Sequence, residues 1–177
     1  MKSTKEIKDI FQAACADELP ELILEYGADD RSSVQKMLES ARKKLAALEK
    51  EKQRIWLQQE YERMYEQYGL VCGIDEVGRG PLAGPVVAGA VILPRNCDIL
   101  YINDSKQLSE KKREELYDII REKAIACAVG YATPERIDEI NILQATYEAM
   151  REAIGNLSKQ PDVLLNDAVR IPGVSIK

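Results

Sequence analysis

The run Gly73-Ile74-Asp75-Glu76-Val77-Gly78-Arg79-Gly80-Pro81-Leu82-Ala83-Gly84-Pro85 constrains this chain more than any other stretch. Apolar residues flank it on both sides, Leu70 to Ile74 before and Val86 to Leu93 after. Both flanks are short and apolar, and the second is rich in β-branched residues, which reads as two buried strands. Glycine and proline punctuate the segment between them, so a hairpin is expected. Two adjacent carboxylates therefore sit at the end of a strand, and a glycine-flanked arginine follows at once.

That juxtaposition carries chemistry. Hard divalent cations take oxygen ligands, commonly one or two carboxylates plus water and substrate phosphate. Successive side chains on a regular strand point to opposite faces, so Asp75 and Glu76 share a face only where the strand loosens, as it can at Gly78. Bare N–H groups in a glycine turn form an anion-binding concavity, and the planar fork of Arg79 suits a phosphate. A solvated strand end followed by a tight turn is the bland alternative. The spacing from Gly78 is G-x-G-x-x-x-G, one residue too long for a dinucleotide fingerprint, and it leads into a strand where that motif needs a helix. A P-loop would need a Gly-Lys-Ser/Thr ending, which is lacking. A nucleotide- or phosphosugar-binding α/β domain using Gly78 to Gly84 is the rival reading.

The chain contains no histidine. Ser–His and Cys–His catalysis and histidine-ligated zinc are thereby excluded for these residues, which leaves carboxylate–metal chemistry. Cysteines 15, 72, 97 and 127 show no C-x-x-C or zinc spacing. Free thiols and a cytoplasmic location are expected, since no leader or membrane-spanning run is apparent. The formal net charge is −5, which opposes non-specific nucleic-acid binding. Arg79, Lys106, Lys111, Lys112 and Arg113 nevertheless supply local cations.

Residues 1–69 read as a helical extension. Ser3-Thr4-Lys5-Glu6 is a capping-box start, with Ile7, Ile10, Phe11 and Ala14 on one helical face. A long helix is expected from near Ser33. Its apolar positions Val34, Leu38, Ala41, Leu45, Leu48 and Ile55 approximate a coiled-coil seam, interrupted at Lys52. Trp56, Tyr61, Tyr65 and Tyr68 could stack on bases, but such residues more often pack against a neighbouring helix. Beyond Leu93 the pattern alternates. Ser109 caps a helix to about Lys123. A strand spans Ala124 to Tyr131, and Thr133-Pro134-Glu135 opens another helix. Ile140 to Leu157 is helical, and Val163 to Asp167 is a fourth strand. Asp162 opens that last strand and Asp167 closes it.

The segment Gly73 to Val87 closely resembles the signature of the type 2 ribonucleases H, the ribonuclease HII family. Asn103-Asp104-Ser105-Lys106-Gln107-Leu108-Ser109 resembles the family's second block, with Gln107 where lysine is also common. Asn141-Ile142-Leu143-Gln144-Ala145-Thr146 and Leu164-Leu165-Asn166-Asp167-Ala168 resemble two more, in the family's order. The resemblance implies an α/β fold: a ribonuclease H-like mixed sheet with flanking helices over residues 70–177, plus the N-terminal helical extension. It implies a two-metal endonuclease, using Mn2+ or Mg2+, that cuts RNA in RNA–DNA hybrids and at single ribonucleotides in duplex DNA. The products would carry 3′-hydroxyl and 5′-phosphate ends. Asp75, Glu76 and Asp167 would be the catalytic metal ligands. Gly78, Arg79 and Gly80 would sense the ribose 2′-hydroxyl, and Lys106 would sit near a phosphate. A monomer is expected. The family's fourth acid and its substrate-binding tyrosine lie beyond Asp167 and find no match before Lys177. The sequence thus resembles a C-terminally incomplete member, expected to be weakly active or inactive alone.

Overall fold

The computed structural model describes residues 2–81, 83–167 and 170–177. Leu82 of the glycine-rich signature, and Ala168 and Val169 after Asp167, lie outside the described residues. The chain divides into two units, residues 1–56 and 57–177.

The first unit is helical. Helix α1 (Thr4–Ala13) opens at Ser3 with a full capping box. The Ser3 amide donates to Glu6 Oε2 at 2.7 Å, and the Glu6 amide donates to Ser3 Oγ at 3.3 Å. After α2 (Leu19–Tyr26) comes the long α3 (Ser32–Gln58), which runs through the division between units. Ile7, Tyr26, Val34 and Leu38 form a small core, with Phe11, Leu22, Ile23 and Met37 against it. Along the expected seam Val34, Leu38, Ala41 and Ile55 are buried, Leu45 and Leu48 are half-buried, and Lys52 is exposed. Trp56, Tyr61 and Tyr68 are exposed, contrary to the packing expected of them.

The second unit is built on a four-stranded mixed sheet in the order β3-β2-β1-β4. Strands β1 (Val71–Val77) and β2 (Val86–Ile92) form the expected antiparallel hairpin. Strand β3 (Ala126–Ala132) extends it antiparallel on β2, and β4 (Val163–Leu165) lies parallel to β1. Helices α4 (Glu60–Tyr65), α5 (Glu110–Lys123), α6 (Pro134–Ile140) and α7 (Ile142–Gly155) accompany it. This mixed sheet with flanking helices and an N-terminal helical region is the expected architecture.

Period-two alternation positions the core. Cys72, Ile74, Val86, Ala88, Ala90 and Ile92 are buried, and they pack with Ala145, Ala149, Met150, Ala153 and Ile154 of α7. The small residues let helix and strand approach closely. A β-carbon at Gly130 would overlap the Ala149 carbonyl oxygen. The other face of the sheet leaves Asp75, Val77, Val129 and Tyr131 exposed. The outer edge of β3 is protected by α7. The Tyr131 amide donates to Glu152 Oε2 at 2.8 Å, and Asn156 Nδ2 donates to the Val129 carbonyl at 3.1 Å. Those two groups are therefore withheld from another chain's strand.

Several segment boundaries differ from the expectation: β1 runs on to Val77, β2 stops at Ile92 and α7 stops at Gly155. The helix expected from Ile140 begins at Ile142, because Asn141 takes a φ of 71° and its side chain accepts from the amides of Leu143 and Gln144. Capping of α7 thus separates it from α6. The third strand starts at Ala126, since Ala124 is still the cap of α5. The fourth ends at Leu165.

All four cysteines are free. Cys72 faces the core, and burial pushes its thiol up to about 11. Cys97 is also buried and shifted upward by burial, while Cys15 and Cys127 are exposed. Because the thiolate is the nucleophile, a maleimide at pH 8 is expected to label Cys15 and Cys127 rapidly, and Cys72 only after denaturation. Peptide mapping by mass spectrometry checks this; rapid native labelling of Cys72 would contradict its placement.

Candidate active site

Asp75 lies near the end of β1, on the exposed face of the sheet, between the buried Ile74 and the half-buried Glu76. Its neighbour across the hairpin is Gly89, where an added β-carbon would meet nothing within 4 Å. The surface beside Asp75 is open for that reason. Its Oδ1 accepts the Glu76 amide at 2.9 Å, which turns the carboxylate along the strand.

Strand β4 brings the second acid alongside. Gly73 pairs with Leu165 in parallel register. Two residues further along each chain stand Asp75 and Asp167. Parallel neighbours lie about 4.8 Å apart, and a step of two residues returns to the same face. Asp167 follows the end of regular pairing and is exposed.

Glu76 is placed differently. It is half-buried, and its Oε1 accepts from Arg79 Nη1 at 2.8 Å. Alternation on a regular strand sends it to the face opposite Asp75. Among the described residues no three His, Cys, Asp or Glu side chains converge tightly enough to hold a metal ion. The structure thus couples Glu76 to Arg79, and pairs β1 with β4 as far as Gly73 and Leu165, two residues short of Asp75 and Asp167.

Asp162, the rival acid, ties strands together. Its Oδ2 accepts the Leu70 amide at 2.7 Å, and its own amide donates to the Leu70 carbonyl at 2.8 Å. That couples the start of β4 to the start of β1.

The glycine loop is shaped by its glycines unequally. Gly78 adopts φ 97°, and a β-carbon there would overlap the Pro85 carbonyl oxygen. At Gly80 an added β-carbon would meet nothing within 4 Å. Packing requires glycine at 78, while at 80 the backbone is left accessible to a ligand.

Lys106 lies on a separate, exposed 3-10 turn, Ser105–Gln107, capped by Asp104. Among the described residues its ammonium makes no hydrogen bond or ion pair, and none joins it to Asp75, Glu76 or Asp167. Sequence reasoning counted Arg113 only as one of several cations. Its guanidinium in fact donates to the Leu108 carbonyl at 2.7 Å and the Ser105 carbonyl at 3.4 Å. The available signal was its position four residues after the Ser109 cap, within reach of the preceding turn.

The site is thus a surface on an α/β domain, with oxygen donors, a glycine loop and the Arg79 guanidinium bonded to Glu76. Residues 72–175 match the family model described as ribonuclease HII, and residues 3–66 match that of the ribonuclease HII N-terminal domain. Ribonuclease HII of Lachnoclostridium phytofermentans is 62% identical over 151 residues, covering 85% of this chain and 59% of that protein. That of Bacillus subtilis is 48% identical over 173 residues, covering 96% and 67%. A crystal structure of ribonuclease H2 from Pyrococcus horikoshii OT3 aligns at 28% identity and a TM-score of 0.48, covering 57% of this chain and 52% of that one. The chain belongs to the ribonuclease HII family. It spans roughly three fifths of the length of the L. phytofermentans relative, at 59%.

Proposed function

We propose that this chain carries the metal-binding and ribose-sensing part of a cytoplasmic, monomeric endonuclease acting on RNA–DNA hybrids and on single ribonucleotides in duplex DNA, as in ribonucleotide excision repair. The observation that supports the reading is the parallel pairing of β1 with β4 through Gly73 and Leu165, two residues before Asp75 and Asp167 respectively. Carboxylate oxygens, in a chain without histidine, suit magnesium or manganese. Asp75 and Asp167 would hold the metal, with Glu76 joining once it parts from Arg79. When bound, such ions would supply an activated water and charge stabilisation for phosphodiester hydrolysis.

The remaining work belongs to the chain's own groups. The Gly78–Gly80 backbone meets the 2′-hydroxyl, which distinguishes RNA from DNA. Arg79 holds an adjoining phosphate through its planar fork. Lys106 contacts a further phosphate as a point charge.

The test is a pair of fluorescent duplexes differing only in one ribonucleotide. With manganese present, the chain is expected to bind the ribonucleotide-containing duplex several-fold more tightly, by about 1 kcal/mol or more. Any cleavage should leave a 5′-phosphate and stop on chelation. Equal affinity for both duplexes, with or without metal, would sink the reading.

A further inference from the structure

We propose that Arg113 is a positioning residue for Lys106. It clamps the turn carrying the Lys106 ammonium, so that this cation is presented before nucleic acid arrives. The inference rests on the reading of Lys106 as a phosphate contact, and adds a residue to which no role has been given.

The turn is weak by itself. A 3-10 turn has poorer hydrogen-bond geometry than an α-helix. Asn103 to Gln107 are all exposed. Inside the turn, the Gln107 amide donates to the Asp104 carbonyl at 2.9 Å, and the Leu108 amide donates to the Ser105 carbonyl at 3.3 Å. The Lys106 amide donates to Asp104 Oδ1 at 2.9 Å, and Asn103 Nδ2 donates to Gln107 Oε1 at 2.9 Å. These bonds are local and solvent-accessible, the kind that open readily.

Arg113 adds a tie from outside. It sits in the first turns of α5, four residues after the Ser109 cap. Its Nη1 reaches the carbonyls of Leu108 and Ser105. Those two carbonyls bracket Lys106 and Gln107. The guanidinium makes no ion pair among the described residues, so its contacts are with the turn. A charged donor on a carbonyl is stronger than a neutral one. Leu108 also packs on the small core of Cys97, Ile99 and Leu116, so the clamp joins the turn to a fixed base. Both bonds leave from Nη1, so lysine at this position would keep the charge but lose the planar guanidinium that fixes the directions of those N–H groups. Ordering a long side chain on binding costs affinity, and a preorganised turn reduces that cost.

The test combines binding and amide exchange on the whole chain. A fluorescent ribonucleotide-containing duplex is titrated between about 50 and 200 mM salt with Lys106→Ala, Arg113→Lys, Arg113→Gln and the Lys106→Ala/Arg113→Lys double variant. Lys106→Ala is expected to weaken binding and to lower the salt slope by about 0.9. Arg113→Lys, with charge retained, is expected to weaken binding by about two- to tenfold. The double variant should bind no worse than Lys106→Ala alone, because the clamp acts through Lys106. Hydrogen exchange at the Gln107 and Leu108 amides should quicken in both Arg113 variants.

Additive losses in the double variant would overturn the proposal. So would unchanged exchange in Arg113→Lys. Arg113→Gln lowering the salt slope while Arg113→Lys restores affinity and exchange would make Arg113 a direct phosphate contact instead. If Lys106→Ala binds like the parent, the phosphate role of Lys106 fails and the proposal falls with it. Quickened exchange in that case would show that the clamp exists but serves the fold.

Discussion

Asp75→Asn is expected to leave the fold intact and to weaken manganese binding by at least about a hundredfold, since loss of groups that merely support a ligand already costs 10- to 100-fold. The fold should survive because asparagine keeps an oxygen to accept the Glu76 amide, now at 2.9 Å from Asp75 Oδ1. The site should not survive, because a neutral amide removes the negative charge that a hard dication requires. Asp75 is exposed, and no core packing depends on it. Circular dichroism follows the fold, and manganese electron paramagnetic resonance follows free ion. Asp162→Asn is the comparison. That carboxylate is occupied at the Leu70 amide, so its loss should leave manganese affinity within about threefold of the parent. Parental affinity in Asp75→Asn would remove Asp75 from the metal site.

Gly78→Ala should destabilise the second unit by about 2–4 kcal/mol, combining backbone strain with a collision that cannot relax cheaply. The strain arises because φ is 97°. The collision is with main chain: the new β-carbon would overlap the Pro85 carbonyl oxygen and lie 3.2 Å from Val86 Cα. Val86 is fully buried at the start of β2, so relief would require moving the strand. Gly80→Ala provides the contrast. Its β-carbon would meet nothing within 4 Å, so stability should change by less than about 0.5 kcal/mol. Discrimination between ribonucleotide and all-DNA duplexes should suffer in Gly80→Ala if the backbone there meets the ribose as proposed, because the methyl group would cover it. Urea denaturation of both variants checks the first contrast. Equal stability of the two would show that the loop is not shaped as described.

Much of the fold was legible because it follows from local rules. Ser3 with Glu6, Ser109, and Thr133 with Pro134 announce helix starts through side-chain groups that satisfy free amides, and each does so in the structure. The hairpin of β1 and β2 was legible from two apolar runs around a glycine-rich turn. Asn141 was not recognised as a break. Its left-handed backbone is stabilised by side-chain acceptance from two amides, and helical periodicity continues across it. The exposure of Trp56, Tyr61 and Tyr68 was not legible either, since an aromatic spacing does not say whether anything packs there.

The sequence by itself determined the kind of chemistry available: carboxylates without histidine, glycines beside an arginine, and four motif blocks in one order. It also determined where most strands and helices begin, because capping and side-chain alternation are properties of neighbouring residues. Only the tertiary structure decided which strand lies beside which and how Asp162 is partnered. Parallel pairing sets β4 beside β1 and gives Asp162 to the Leu70 amide. Leu70 and Asp162 are 92 residues apart, whereas Glu76 and Arg79, which bond locally, are three apart. Strand order and register set the distant pairing, and no local rule fixes either.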